Sequence, residues 1–307
     1  MMLYLDQVTP TKRAPDRDRW SAKALFPIFS GQRLNDIGAA EVRGYIATRS
    51  AAGIAPGTLN KEIGLMSAAI NWAKRELEWE MPNPWESRRL MEPAGRDRWL
   101  TQDDAERLLT AATTRKDRYP WLHDFIRLGL NSGLRPGEML WLEWKRVNLK
   151  GAYITFEAAR IGDQTGQKNG KPGTVPLNQD ARDAILARAR FRASYCPDSP
   201  WVFCRKDGSR IESIKKGFAG CVTDAGLMNI HPHDLRRTFG SWLVQAGIGI
   251  ERVSALLRHG DVAITARVYA HLRPSDLADA VSILNRQMPT KTGTHFHADF
   301  HATKDGG

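Results

Sequence analysis

The stretch from residue 231 to 271, HPHDLRRTFGSWLVQAGIGIERVSALLRHGDVAITARVYAH, constrains the fold more tightly than any other part of the chain. Leu235, Phe239, Trp242, Leu243 and Ala246 recur at helical spacing, so one face of this segment must turn to a core. The cluster of His233 with Arg236 is then held on one face, near the end of that helix. A second helix over residues 253–258 does the same for Arg258 with His259, and a single tyrosine, Tyr269, follows.

A lone His-x-x-Arg on a helix is ordinarily a solvated face. Two such clusters followed by an isolated tyrosine point to anion chemistry. A phenol with a pKa near 10 is a poor nucleophile until cations surround it. The transition state for its attack on a phosphodiester carries extra negative charge, which guanidinium forks match two oxygens at a time. A covalent phosphotyrosine would conserve the energy of the phosphodiester, so the strand could be rejoined without nucleotide or metal.

Charge agrees with a polyanionic partner. The chain of 307 residues carries a formal +11 and is 42% hydrophobic, enough for two ordinary domains with a core in each. Residues 96–285 hold 29 basic and 21 acidic side chains, against 13 and 11 in residues 1–95, so the excess lies with the proposed active site. The three cysteines, Cys196, Cys204 and Cys221, are odd in number and lack CxxC spacing, against a disulfide framework or a zinc site. No apolar run reaches membrane-spanning length and the N-terminus lacks a signal-peptide core, so a cytoplasmic protein is expected.

Residues 1–95 read as helical. The segment 36–49 is amphipathic, and 58–77 places Leu59, Ile63, Met66, Ile70, Ala73 and Leu77 on one stripe after the Pro56-Gly57 turn. Pro82 and Pro84 then bias the chain away from helix, and a domain boundary is expected between residues 85 and 99. Thr101 with Asp104 forms a capping-box pattern, opening a helix through Leu108, Leu109 and Ala112. Another helix, 121–130, leads into a turn at Gly133 and Pro136-Gly137 that presents Arg135 beside Glu138. Strands are expected at 147–149, 153–156 and 174–177, with residues 162–173 as a hairpin tip rich in Gly, Lys, Asn and Gln. A helix over 180–192 offers Arg182, Arg188, Arg190 and Arg192 as backbone contacts to a duplex. Trp201 begins a short extended segment, residues 214–225 a helix, and 275–288 an amphipathic helix, before an aperiodic tail.

The motifs together resemble the tyrosine recombinases, the phage integrase family, over about residues 30–285. The resemblance is carried by His-x-x-Arg (His233, Arg236), by Leu-x-x-His (Leu256, His259), by Tyr-Ala-His-Leu after Tyr269, and by Gly-Leu-Arg-x-Gly-Glu around Arg135. Lys168-Asn-Gly-Lys171 followed by Thr174-Val-Pro-Leu177 resembles the family's β-hairpin with its catalytic lysine, and TLNKEIGLMSAAINWAKRELEWEMPNP resembles its core-binding domain. Two departures stand out: Arg258, where the family commonly has glycine, and a His259 to Tyr269 interval one residue longer than in many relatives.

The fold this implies is mainly α with a small antiparallel β-sheet: a helical, SAM-like core-binding domain over residues 1–92, an α+β catalytic domain over 98–288, and a disordered tail over 289–307. The implied catalytic set is Arg135, Lys168, His233, Arg236, His259 and Tyr269. Glu138 would orient the basic groups, and Lys61, Lys74, Lys171, Arg237 and Arg258 are the DNA-binding candidates. Tyr269 would attack to leave a 3′-phosphotyrosine, with Lys168 as general acid on the leaving 5′-oxygen. No metal or cofactor is implied. The implied partners are double-stranded DNA attachment sites, a homotetramer of the chain on DNA with a monomer when free, and accessory DNA-bending or directionality proteins. Integration or excision of a phage or mobile element is the expected role, in a bacterial cytoplasm at the nucleoid.

Three alternatives use different features. A type IB topoisomerase would relax supercoils without a recombination site. A catalytically silent DNA-binding scaffold would lack cleavage, although each expected catalytic side chain is present. A metal-dependent transposase would need a carboxylate cluster, and no acidic set stands out.

Overall fold

A computed structural model describes residues 1–12, 14–93, 98–157 and 172–272. Helices dominate the described residues: α1 (Met2–Gln7), α2 (Pro15–Phe29), α3 (Ala39–Ala51), α4 (Pro56–Glu76), α5 (Gln102–Thr114), α6 (Leu122–Ser132) and α7 (Pro136–Leu140) come first. A three-stranded sheet of β1 (Val147–Asn148), β2 (Tyr153–Phe156) and β3 (Gly173–Pro176) follows. Then come α8 (Gln179–Tyr195), α9 (Lys215–Asp224), α10 (Pro232–Gln245), α11 (Ile250–Leu257) and α12 (Val262–Tyr269). The expected Gly-rich hairpin tip lies mostly outside the described residues, as do the expected C-terminal helix at 275–288 and the tail.

Helix α4 begins at Pro56, whose fixed φ suits a first helical position and whose missing N–H leaves no donor unpaired there. Most of its expected apolar stripe is buried: Leu59, Ile63, Met66 and Ile70 pack into the first core, beside Leu25 of α2 and Val42 and Tyr45 of α3, Ala73 is buried as well, and Leu77 caps the helix end half-buried. Glu62 also faces inward. Burial of that carboxylate is offset by the Tyr45 hydroxyl at 2.6 Å and Arg49 Nη2 at 2.5 Å.

The segment after α4 is strapped back onto it by two asparagines. Asn60 accepts from the Leu90 N–H (2.7 Å) and donates to the Leu90 carbonyl (2.9 Å), and Asn83 donates to Ser67 and Asn71. Leu90 thus packs with the first core. Leu100 belongs to a second: its N–H donates to Thr238 Oγ1 at 2.9 Å, and its carbonyl accepts from Trp242 Nε1 at 2.9 Å.

In the second core α6 packs against α8 and α10. Gly129 lets α6 and α10 close up, since a Cβ there would sit 3.0 Å from Leu235 Cδ1. The capping box of α5 forms as its sequence pattern implies: Thr101 Oγ1 accepts from the Asp104 N–H at 3.1 Å. The sheet is antiparallel in the order β1, β2, β3, with Val147 opposite Ile154 and Ile154 opposite Val175. Ile154, Phe156 and Val175 turn inward at every second position, as the pleat requires. The segment at Trp201 forms only an isolated bridge to Glu143 rather than a strand. All three cysteines are buried free thiols. Among the described residues no helix is long and apolar enough to cross a membrane.

A third, smaller cluster joins Val244, Ile250, Val253, Leu257 and Tyr269, so α10, α11 and α12 share a core of their own. The double strap at Asn60 gives a direct test of the first core. Asn60→Ala leaves both Leu90 backbone groups without their partner and should destabilise this unit by about 1–3 kcal/mol, read as a lower urea midpoint with faster proteolysis within residues 81–93.

Candidate active site

The turn after α6 sets the first arginine. Gly133 closes the helix in the left-handed region (φ +61°), where a Cβ would meet Phe239 Cδ1 at 2.5 Å, so only glycine fits. The chain then leaves through Leu134 and Arg135 into α7, which Pro136 opens. Glu138 acts on Arg135 twice: its carboxylate accepts the Arg135 backbone N–H at 2.9 Å and Arg135 Nη1 at 2.7 Å. Burial works to raise the Glu138 pKa, but Arg258 and Arg135 outweigh it and hold the carboxyl below its ordinary value.

Helix α10 carries the second group. His231 N–H donates to Asp234 at 2.8 Å, which caps the helix and sets His233 and Arg236 in its first turns. Arg236 is 2% exposed, and its guanidinium donates to the Gly133 carbonyl at 2.6 Å and to the Leu257 carbonyl. Burial, then the charges of Arg135 and Arg258, push its pKa down to about 9, so it remains a cation at neutral pH. The outer edge of His233 is open to solvent, but the protein around its ring, then Arg236, Arg237 and Arg135, lower its pKa. Farther along the helix, Gly240 makes room for the phenol: a Cβ there would sit 2.6 Å from Tyr269 Cζ and 2.8 Å from its hydroxyl.

Helices α11 and α12 supply the rest. Arg258 ends α11 at φ +53°, and its Nη2 donates to Glu138 Oε2 at 2.6 Å. His259 Nδ1 lies 2.7 Å from Thr265 Oγ1. Burial and then the charges of Arg236, Arg135 and Arg258 take its pKa down to about 4, so it is neutral at pH 7. Tyr269 is the last residue of α12, 4% exposed; burial raises its pKa while Arg236 and Arg237 pull it down. The arrangement therefore gathers Arg135, His233, Arg236 and His259 into one cationic cluster, with the neutral Tyr269 phenol beside Arg236.

Against this geometry, the sequence profile of the phage integrase family matches residues 98–276. The chain belongs to the phage integrase family. As a tyrosine recombinase it is an enzyme that cleaves and rejoins DNA. It is 30% identical over 266 residues to the tyrosine recombinase XerD of Caulobacter vibrioides, covering 82% of this chain and 83% of that one. It is 26% identical over 233 residues to the integrase of Salmonella phage P22, covering 71% of this chain and 54% of that protein. In fold it is similar to the Tn1549 transposon integrase in complex with circular intermediate DNA, with TM-score 0.73, 18% identity and coverage of 93% and 98%. A lambda integrase dimer bound to a core site is also similar, with TM-score 0.68, 16% identity and coverage of 90% and 96%.

Within this recombinase the other expected site residues have varied placements. Lys61 and Lys74 are exposed on α4, and Arg237 is half-buried on α10. Lys168 and Lys171 lie outside the described residues. Arg258 does not stand as a DNA contact: the left-handed turn folds its side chain inward onto Glu138, and it is 7% exposed. Arg188 is likewise buried, donating to the Pro120 carbonyl, because its position on α8 faces α6. Gly240 and Thr265 also shape the site, although neither belongs to a motif in the sequence. Gly240 stands one turn beyond Arg236 on the same helix, which was the available signal.

Because the folded state lowers the His259 pKa, the unfolded chain takes up a proton first as pH falls. Stability from this group is complete above about 6.5 and drains away towards pH 4. His259→Gln should flatten that part of a stability-versus-pH curve measured by urea unfolding. Gly240→Ala should force the Tyr269 ring out of its packing, and its pKa should then fall towards 10, read by NMR of ring-labelled tyrosine.

Proposed function

We propose that this recombinase acts through a 3′-phosphotyrosine intermediate, with Tyr269 as nucleophile. The observation that carries the reading is the convergence of Tyr269 with two arginines and two neutral imidazoles, from four separate elements, in one cluster. Arg135 and Arg236 grip the non-bridging oxygens of the scissile phosphate. His259, neutral and held by Thr265, adds a hydrogen bond to the same phosphate. Arg237 has a buried Nη1 without a hydrogen-bond partner, a donor that a phosphate oxygen would satisfy.

The phenol starts protonated, so its proton must leave as the O–P bond forms. His233, neutral and at the solvent edge, takes that proton. The P–O5′ bond then breaks, and Lys168 protonates the departing oxygen as general acid. Attack needs the Tyr269 oxygen within about 3–3.5 Å of phosphorus. A residue that is 4% exposed must therefore shift outward as the phosphate enters. The free 5′-hydroxyl of a partner duplex reverses the chemistry on the phosphotyrosine and exchanges the strands.

The support for a DNA partner is the positive charge, together with relatives solved on DNA. On this reading residues 1–92 form the core-binding domain, with Lys61 and Lys74 on DNA, and residues 98–288 form the catalytic domain, with Lys171 and Arg237 as further contacts. The chain assembles as a homotetramer on attachment sites, assisted by accessory DNA-bending or directionality proteins. It serves integration or excision of a phage or mobile element at the nucleoid of a bacterial cytoplasm.

A nicked suicide substrate carrying the element's attachment site tests this in the presence of chelator. Wild-type protein should form a denaturation-resistant protein–DNA adduct, Tyr269→Phe should form none, and Arg236→Lys should slow the adduct on the order of 100-fold, since a compact ammonium lacks the planar fork that spans the Gly133 and Leu257 carbonyls while facing a phosphate. An adduct that survives Tyr269→Phe would overturn the choice of nucleophile. Relaxation of supercoils without strand exchange between two sites would move the assignment to a topoisomerase.

A further inference from the structure

Arg258 occupies a position that local physics would give to another residue. It closes α11 at φ +53° and ψ +46°, a conformation that glycine adopts freely and that a residue with a Cβ resists. Its side chain is nevertheless 6% exposed, with the guanidinium centre 5.2 Å from the Phe156 ring centroid of β2. A cation thus buried needs compensation, and it finds it in Glu138, Nη2 to Oε2 at 2.6 Å. The other carboxylate oxygen, Oε1, is the one that holds Arg135 Nη1 at 2.7 Å. Glu138 is therefore shared between two arginines that approach it from different elements.

We infer that Arg258 is a positioning residue of the recombinase: by saturating Glu138 it fixes the carboxylate that aims Arg135, and it leaves the charge of Arg135 available to the scissile phosphate. With one arginine, the carboxylate would neutralise the very group that must bind an anion. With two, the Arg135–Glu138–Arg258 set keeps a net positive charge while its geometry stays locked. The left-handed turn contributes as well, because it reverses the chain at Arg258 so that the next residue, His259, enters the same pocket. This inference rests on Arg135 being a phosphate-binding group.

The test compares wild type with Arg258→Gly, Arg258→Met and Arg258→Lys. Glycine relieves the backbone conformation, so Arg258→Gly should melt within a few degrees of wild type, and Arg258→Lys provides a variant that keeps the charge. Adduct formation on the nicked substrate should fall about tenfold in the glycine and methionine variants, with Arg258→Lys recovering most of the loss. Noncovalent DNA affinity, measured in a Tyr269→Phe background, should change less than about twofold. Wild-type adduct rates in both neutral variants would overturn the inference. A parallel drop in affinity with a shallower salt dependence would overturn it too, by making Arg258 a backbone contact.

The Arg135 side-chain Nε–H resonance of the free protein separates this outcome from failure of the functional reading. If wild type forms no adduct, the functional reading fails. The positioning claim still stands if the resonance shifts in Arg258→Met, and falls if it is unchanged.

Discussion

The buried guanidinium of Arg236 is the constraint on which the rest of the second core depends. A charge at 2% exposure is tolerable only if its donors are met, and here they are met by backbone carbonyls of two other segments, Gly133 after α6 and Leu257 at the end of α11. One side chain thus ties the helix that carries it to the turn that presents Arg135 and to the turn that presents His259. Removing it would do more than delete a cation. It would leave two carbonyls unmatched and three elements without their common fastening.

That fastening explains the electrostatics of the pocket. Burial first, and then the surrounding arginines, keep both histidines neutral, while Arg236 and Arg237 pull against the burial that holds the Tyr269 phenol protonated. The site is therefore set for a polyanion, which would relieve the mutual repulsion of the arginines as it binds. Close packing supports this from behind: Gly129 lets α10 approach α6, and Gly240 lets the tyrosine ring lie on the α10 backbone.

Much of the architecture was legible before any coordinates. The stripe from Leu59 to Ala73 is the buried face of α4, Thr101 and Asp104 form their capping box, and the strand at Tyr153–Phe156 lies where its β-rich residues indicate. These are local signals, set by period, cap and branching within a few residues. Less legible were features that depend on residues far apart in sequence. Arg188 and Arg258 read as exposed cations because arginine usually is exposed, yet each is buried against a partner on another element: Arg188 against the carbonyl of Pro120 and near Asp124, Arg258 against Glu138.

From the sequence alone came the residue types and their spacing: two cationic clusters, a first arginine in a Gly-Leu-Arg turn, and a tyrosine after them, which point to an anion site and carry the resemblance to the tyrosine recombinases. Tertiary structure alone decided that Tyr269 ends a helix against Gly240, that Arg236 is held by two carbonyls, and that Arg258 turns inward to share Glu138. The physical reason is range. Helical period and capping act within a turn or two, whereas desolvation and ion pairing are settled only when segments more than 100 residues apart, such as Glu138 and Arg258, are packed face to face.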